Sequence, residues 1–139
     1  MDLTVQYGCE AMDFEKVTDM LSKAYWSIDI GIKEVIKGAR NSTLVAGAFA
    51  NGIQVGYSRV VSDKIRFAYI CDVIVDKNYR KNGVGQRMIQ GIQHHEELKD
   101  VYRWLLVTED AQKFYAKSGF KPLSHPKSWM SIELPERKR

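Results

Sequence analysis

The residues best suited to chemistry lie between Val73 and Gly85. An apolar, β-branched run, Val73-Ile74-Val75, breaks into a polar turn carrying Arg80, Lys81 and Asn82, then Gly83, Val84 and Gly85. Val84, Met88 and Ile92 follow at intervals of four, so the pattern predicts a buried strand, a tight loop and a helix. A loop at a helix start offers main-chain N–H groups without partners, and the helix dipole adds partial positive charge there. Glycines at 83 and 85 let the backbone bend sharply and approach a ligand closely. With the formal charges of Arg80 and Lys81 alongside, this is the chemistry of a pyrophosphate cradle.

Two common phosphate loops do not fit. A Walker-type string, Gly-x-x-x-x-Gly-Lys-Ser/Thr, occurs nowhere, and the dinucleotide fingerprint needs a small residue where this chain has Met88. What remains is Arg80-x-x-Gly83-x-Gly85 directly after a strand. A second string runs Asp110-Ala111-Gln112-Lys113-Phe114-Tyr115-Ala116-Lys117-Ser118-Gly119-Phe120. Its helical period puts Ala111, Phe114, Tyr115 and Ser118 on one face, with Lys117 in the last turn and Gly119 as the C-cap. Periodicity alone gives Tyr115 a place on the inward half of that helix, where tyrosines usually pack.

The two strings together resemble the signatures of the GCN5-related N-acetyltransferases: the coenzyme A motif Arg-x-x-Gly-x-Gly, then Ala-x-x-Phe-Tyr-x-x-x-Gly-Phe. The resemblance extends over nearly the whole chain. It implies an acetyl-CoA-dependent enzyme without a metal, which passes the acetyl group to a primary amine of an unidentified small-molecule or peptide acceptor. Attack would be direct, in a ternary complex. Val73, Ile74 and Val75 would pair with the pantetheine arm along the strand edge. The amides of Arg80, Lys81, Asn82, Gly83, Val84 and Gly85, with Gln86 next in the helix, would hold the pyrophosphate. A backbone N–H near Val73 would polarise the acetyl carbonyl, and Tyr115 would protonate the departing thiolate. Members of the family often pair as homodimers. One departure is visible: many relatives carry Asn three residues before the Ala of the second motif, and here Thr108 stands there. Its hydroxyl can still cap a helix, but it cannot supply an amide contact.

Asp72 admits two readings. A carboxylate inside a buried strand needs hydrogen bonds or a raised pKa, and a raised pKa would suit a general base. The favoured alternative is that it holds a neighbouring loop through backbone amides. In related enzymes an acid on this strand sometimes relays the amine proton through water, which keeps Asp72 a catalytic candidate. Tyr25-Trp26-Ser27-Ile28-Asp29 joins two helices; its aromatics either close the core or line a ligand site. In the resembled family this region contributes to the acceptor pocket, so Trp26 and Asp29, with Trp129, are the expected acceptor-binding residues.

The bulk numbers bound the rest. At 139 residues, 45% hydrophobic and 27% charged, the chain is expected to be one domain, 1–139, with a real core. No apolar run reaches membrane-spanning length, and the N-terminus has no signal-peptide pattern. Cys9 and Cys71 are expected to be buried thiols rather than a disulfide, and the location cytoplasmic. The net charge of +4 invites a nucleic-acid reading, but no helix interleaves basic and aromatic side chains, and a phosphorylated co-substrate explains the excess. Part of it is Arg137-Lys138-Arg139, read as a solvated tail. His94 and His95, adjacent near a helix end, point about 100° apart and are not a metal pair.

These residues need positioning elements. Residues 3–7 alternate as a strand, and Asp13 caps a helix with Phe14, Val17, Leu21 and Tyr25 inward. A second helix follows Gly31, with Ile32, Val35, Ile36 and Ala39 on one side. Strands 43–50 and 53–61 are joined by Asn51-Gly52, the pair favoured by a type I′ turn. Strand 66–75 puts Phe67, Tyr69, Cys71, Val73 and Val75 on one face and Ala68, Ile70, Asp72 and Ile74 on the other. Helix 83–97, strand 101–107, the helix around Tyr115 and closing strands at 120–123 and 129–132 complete the chain. The order β-α-α-β-β-β-α-β-α-β-β matches the resembled α/β fold: a mixed, mostly antiparallel sheet with helices on both faces. Strands 66–75 and 101–107 should splay into a V-shaped slot. The alternative function on the same fold is a non-catalytic acyl-CoA sensor; turnover with a panel of amines, compared with a Tyr115→Phe variant, discriminates the two.

Overall fold

Five strands, β1 (Leu3–Tyr7), β2 (Leu44–Ala50), β3 (Ile53–Ser62), β4 (Ala68–Val75) and β5 (Trp104–Leu105), lie side by side in chain order. The first four pair antiparallel and the last two parallel. The computed structural model describes residues 1–135; the basic tail at 137–139 lies outside them. Helices α1 (Phe14–Ser22) and α2 (Ile32–Arg40) cover one face of the sheet. Helices α3 (Val84–Gln93) and α4 (Gln112–Ala116) cover the other.

Local chemistry accounts for these elements. Asn51 and Gly52 adopt φ of 51° and 84°, the left-handed pair that a two-residue hairpin between β2 and β3 requires. Asp13 caps α1 by accepting from the Lys16 amide at 3.2 Å. Gln54, fully buried in β3, accepts from the Asp13 amide at 2.7 Å and donates to the Gly56 carbonyl at 3.0 Å. A buried amide so satisfied ties the start of α1 to the sheet. Val17, Met20 and Leu21 of α1, with Val35 and Ala39 of α2, pack on Val45, Phe49, Tyr57 and Ile74. On the opposite face Val84, Met88, Ile89 and Ile92 of α3 cover alternate residues of the same strands. Each such large side chain contributes about 1.5–3 kcal/mol on burial, so these two layers carry most of the stability. Because α1 ends at Ser22, Tyr25 is not on its inward face as the helical spacing predicted; it stands half-exposed in the turn that follows.

The strict alternation expected along β4 breaks at Asp72. Tyr57 pairs with Ile74 and Arg59 with Cys71, so β4 spends two residues, Asp72 and Val73, against Ser58 alone. Asp72 supplies the extra residue in the left-handed region, φ 55°, which a short polar side chain tolerates best after glycine. The bulge reverses the phase. Ala68 and Ile70 face the α3 side, and beyond it so do Val73 and Val75, while Ile74 faces α1 and α2.

Three further boundaries differ from the sequence pattern. The helix expected over 83–97 ends at Gln93, and a 3-10 turn, Glu96–Leu98, follows. His95 restarts the chain there: its ring accepts from the Glu97 amide at 3.1 Å and packs edge-on to Tyr7. The strand expected over 101–107 pairs only at Trp104–Leu105. The closing strands expected at 120–123 and 129–132 do not form. Residues 121–135 are exposed and enter no ladder, because alternation makes a strand only where a neighbour can take its main-chain groups.

Candidate active site

The parallel rungs Ala68–Trp104 and Tyr69–Leu105 are the last contacts between β4 and β5, yet β4 runs on to Val75. The strands therefore part, as the resemblance implied, and a cleft of about 990 Å³ opens between β4, the start of α3, the turn after α1, and α4. Val73, Ile74 and Val75 line it along β4. Arg80, Lys81, Gly83, Val84, Gly85 and Gln86 line its end at the start of α3.

That end is held open by its own hydrogen bonds. Asp76 accepts from the Asn78 amide at 2.9 Å and from Lys16 Nζ at 2.6 Å, tying the loop to α1, and the Lys16 ammonium holds the Asp76 carboxyl below the usual carboxylate range. Arg80 Nε donates to the Val75 carbonyl at 3.1 Å, leaving the rest of the guanidinium at the cleft. Asn82 does not line the cleft: its amide donates to the carbonyls of Tyr79 and Arg80, bracing the turn from behind. Lys81 and Gly83 adopt φ of 65° and 76°, and this turn delivers the chain into α3. The amides of Val84, Gly85 and Gln86 have no partner among the described residues. Unpaired amides at a helix start, flanked by Arg80 and Lys81, are the donors and charge that an anion would need. Lys23 and Lys117 add positive charge to the same cleft. Spacing along the chain assigns neither of them a ligand role, since each reads as an ordinary helix-end lysine.

Tyr115 reaches the cleft from α4, mostly buried, with Phe114 and Phe120 edge-on to its ring. Its hydroxyl makes no hydrogen bond among the described residues. Burial, helped by Tyr25 and Asp110, pushes the phenol up to about 12, so it carries its proton throughout the neutral range. Thr108 accepts from the Ala111 amide at 3.1 Å in the turn before α4; the N-cap position itself is Ala111, and no side chain caps the helix. Gly119, φ 95°, closes α4 as its spacing predicted. Gln86 donates to Ser118 Oγ at 2.8 Å and Gln93 to the Ser118 carbonyl at 3.0 Å, so α3 and α4 are fastened together beside the tyrosine.

Asp72 lies outside the cleft lining, in a second cavity of about 360 Å³ against α2. Both its oxygens are engaged: Oδ1 accepts from Trp26 Nε1 at 3.0 Å and Oδ2 from Arg59 Nε at 2.7 Å. One carboxylate thus pins the β4 bulge to β3 and to the indole that walls the cleft. Arg59 escaped the sequence reading, although a cation in a buried strand calls for an acid partner, and Asp72 was the acid at hand. Of the expected acceptor residues, Trp26 lines the cleft, edge-on to Tyr25, whose hydroxyl accepts from the Glu109 amide at 3.4 Å. Asp29 is exposed in the turn before α2, and Trp129 stands in the exposed C-terminal segment; neither lines the cleft. Cys71 is half-buried, and burial pushes its thiol up. Among the described residues no cluster of His, Cys, Asp or Glu could hold a metal, and no helix is long and apolar enough to cross a membrane.

Comparison with known proteins agrees with this geometry. The family described as "Acetyltransferase (GNAT) domain" matches residues 41–122, from β2 through α4. A GNAT-family protein from Xanthomonas campestris pv. campestris superposes with a TM-score of 0.90 at 32% identity, over 97% of this chain and 95% of its own. A GNAT-family acetyltransferase from Streptococcus pneumoniae shares the fold at 22% identity, TM-score 0.74, over 99% and 100% of the two chains. Glucosamine-6-phosphate N-acetyltransferase from Arabidopsis thaliana shares it at 14% identity, TM-score 0.65, over 99% of each. No curated protein matches the chain. A match across more than half of the chain, reaching past the helix that carries Tyr115, shows that this protein belongs to the GCN5-related N-acetyltransferase (GNAT) family.

Proposed function

We propose that the protein transfers an acetyl group from acetyl-CoA to a primary amine by direct attack in a ternary complex. The observation that carries this reading is the cleft itself: an anion site at one end, a free strand edge along its side, and an unpaired phenol over it. The pyrophosphate is assigned to the amides of Val84, Gly85 and Gln86, with Arg80 and Lys81 beside it. The pantetheine arm is assigned to the edge of β4 beyond Tyr69, where β5 has parted from it. Val73, which the bulge leaves without a ladder partner, is the donor assigned to the acetyl carbonyl. The neutral amine attacks the thioester carbon, the carbon–sulfur bond breaks, and Tyr115 gives its proton to the sulfur. No covalent enzyme intermediate is required.

Asp72 is assigned a positioning role, because both its oxygens already hold Trp26 and Arg59. The amine loses its proton to solvent before or after attack, and Trp26 stands at the acceptor's side of the cleft. Turnover tests the reading: with acetyl-CoA and a panel of primary amines, thiol release should rise well above solvent hydrolysis for at least one acceptor. Tight coenzyme A binding with no acceptor-dependent release across the panel would favour a sensor instead.

The pH dependence follows from the tyrosine. With its pKa at about 12 the acid stays protonated, so kcat/KM should climb as the amine deprotonates and show no descending limb up to about pH 10. A fall in rate between about pH 8 and 9 would place the titrating acid elsewhere.

A further inference from the structure

The two ends of the cleft carry opposite charge. Arg80 and Lys81 stand at the start of α3, and Lys117 joins them there, because the residue after it, Ser118, is fastened to α3 through Gln86 and Gln93. At the other end the loop into α4 meets the turn after α1. The Tyr25 hydroxyl accepts from the Glu109 amide at 3.4 Å, which brings Asp110 beside Tyr25 and Trp26. Among the described residues Asp110 is the one carboxylate that lines the cleft, and it makes no hydrogen bond or ion pair there. The other charges near this end are paired: Lys23 with Asp19 at 3.1 Å, and Asp72, behind the indole, with Arg59 at 2.7 Å.

An unpaired carboxylate does nothing for a polyanionic co-substrate. Coulomb repulsion sets it against a diphosphate, so its place away from Arg80 and Lys81 suits the other substrate. Beside it, Tyr25 and Trp26 are 50% and 41% exposed, with ring centroids 4.9 Å apart and planes at 86°. Half-exposed aromatic rings next to a carboxylate attract a cation twice over, through the ring quadrupole and through the formal charge. The reacting amine is not that cation, because it must be neutral to attack the thioester.

Resting on the transfer reading above, we infer that the acceptor is an alkyl diamine and that Asp110, with Tyr25 and Trp26, is what selects it. One amine attacks the acetyl carbonyl beside Tyr115, while the second, still an ammonium, is held by Asp110. The alkyl spacer between them lies on the apolar wall that Met20 and Ala24 give to the same end of the cleft. An acceptor ending in a carboxylate would instead meet Asp110 head-on.

The test compares putrescine, butylamine and γ-aminobutyrate, four-carbon acceptors that end in an ammonium, a methyl and a carboxylate, by acetyl-CoA-dependent thiol release. After correction for its two equivalent amines, putrescine should lead butylamine in kcat/KM by roughly 10- to 100-fold, the worth of a hydrogen bond to a charged group. γ-Aminobutyrate should come last, and added salt should narrow the spread. In Asp110→Asn the ratio of putrescine to butylamine should fall to near one, chiefly through the KM for putrescine. In Asp110→Lys γ-aminobutyrate should overtake putrescine. Thermal unfolding is followed alongside: a purely structural role at the start of α4 would lower the melting temperature and leave the ratio in place, which overturns the inference. So does a wild-type chain that acetylates butylamine as well as putrescine, or one that acetylates other amines and not putrescine. Thiol release absent for every amine overturns acetyl transfer itself, and this inference with it.

Discussion

Replacing Tyr115 with Phe should lower kcat by about 10²–10⁴-fold, the range for losing a positioned general acid, while acetyl-CoA affinity and thermal stability stay near wild type. The separation of these readouts comes from the surroundings of the ring. Phe keeps the edge-on contacts with Phe114 and Phe120, so the packing of α4 is preserved. The hydroxyl it lacks holds no group among the described residues, so no donor or acceptor there is stranded when it goes. The loss therefore falls on the step in which sulfur departs. In the variant the ascending limb of the pH profile should persist, because it reports the amine and not the phenol. Steady-state thiol release and calorimetric titration with coenzyme A measure the two quantities, and an unchanged kcat would reduce Tyr115 to a packing residue.

What the sequence made legible was local. Arg80, Lys81, Gly83 and Gly85 announce a positively charged turn into a helix, and Asn51-Gly52 announces its hairpin, because the residues that set each sit within one turn. The bulge at Asp72 was harder to see. Its signal was an aspartate, poor in strands but tolerant of a left-handed backbone, in the middle of an apolar run. Unbroken alternation reverses the faces of β4 beyond Cys71. Arg59, Asp72 and Trp26 meet only through the fold, from β3, β4 and the turn after α1, and no spacing along the chain links them. The C-terminal alternation was legible too, but its partner was not. A strand pattern states that one face wants burial and leaves open which surface supplies it; among the described residues no strand pairs with this segment.

The second large effect is expected at Gly85, and it separates the anion site from the fold around it. A Cβ built on Gly85 lies 3.0 Å from Phe114 Cζ and 3.3 Å from Cε1, tighter than ordinary side-chain contacts. The branches of a valine there would press on Phe114, whose ring lies edge-on to Tyr115, and would crowd the unpaired amides at the start of α3. Overpacking of this order costs about 1–3 kcal/mol. Taken from ligand binding, that is roughly a 5- to 150-fold weaker affinity for coenzyme A. Gly83→Ala provides the contrast. Gly83 adopts φ 76° with open space where its Cβ would go, so alanine there strains the turn without filling the cleft. Calorimetric titration with coenzyme A, beside thermal unfolding, should show Gly85→Val losing affinity and turnover with modest loss of stability. Gly83→Ala should lose stability of about 1–2 kcal/mol first. Gly85→Val with wild-type coenzyme A affinity would mean that the diphosphate is held away from the start of α3, and the assignment of the whole cleft would fall with it.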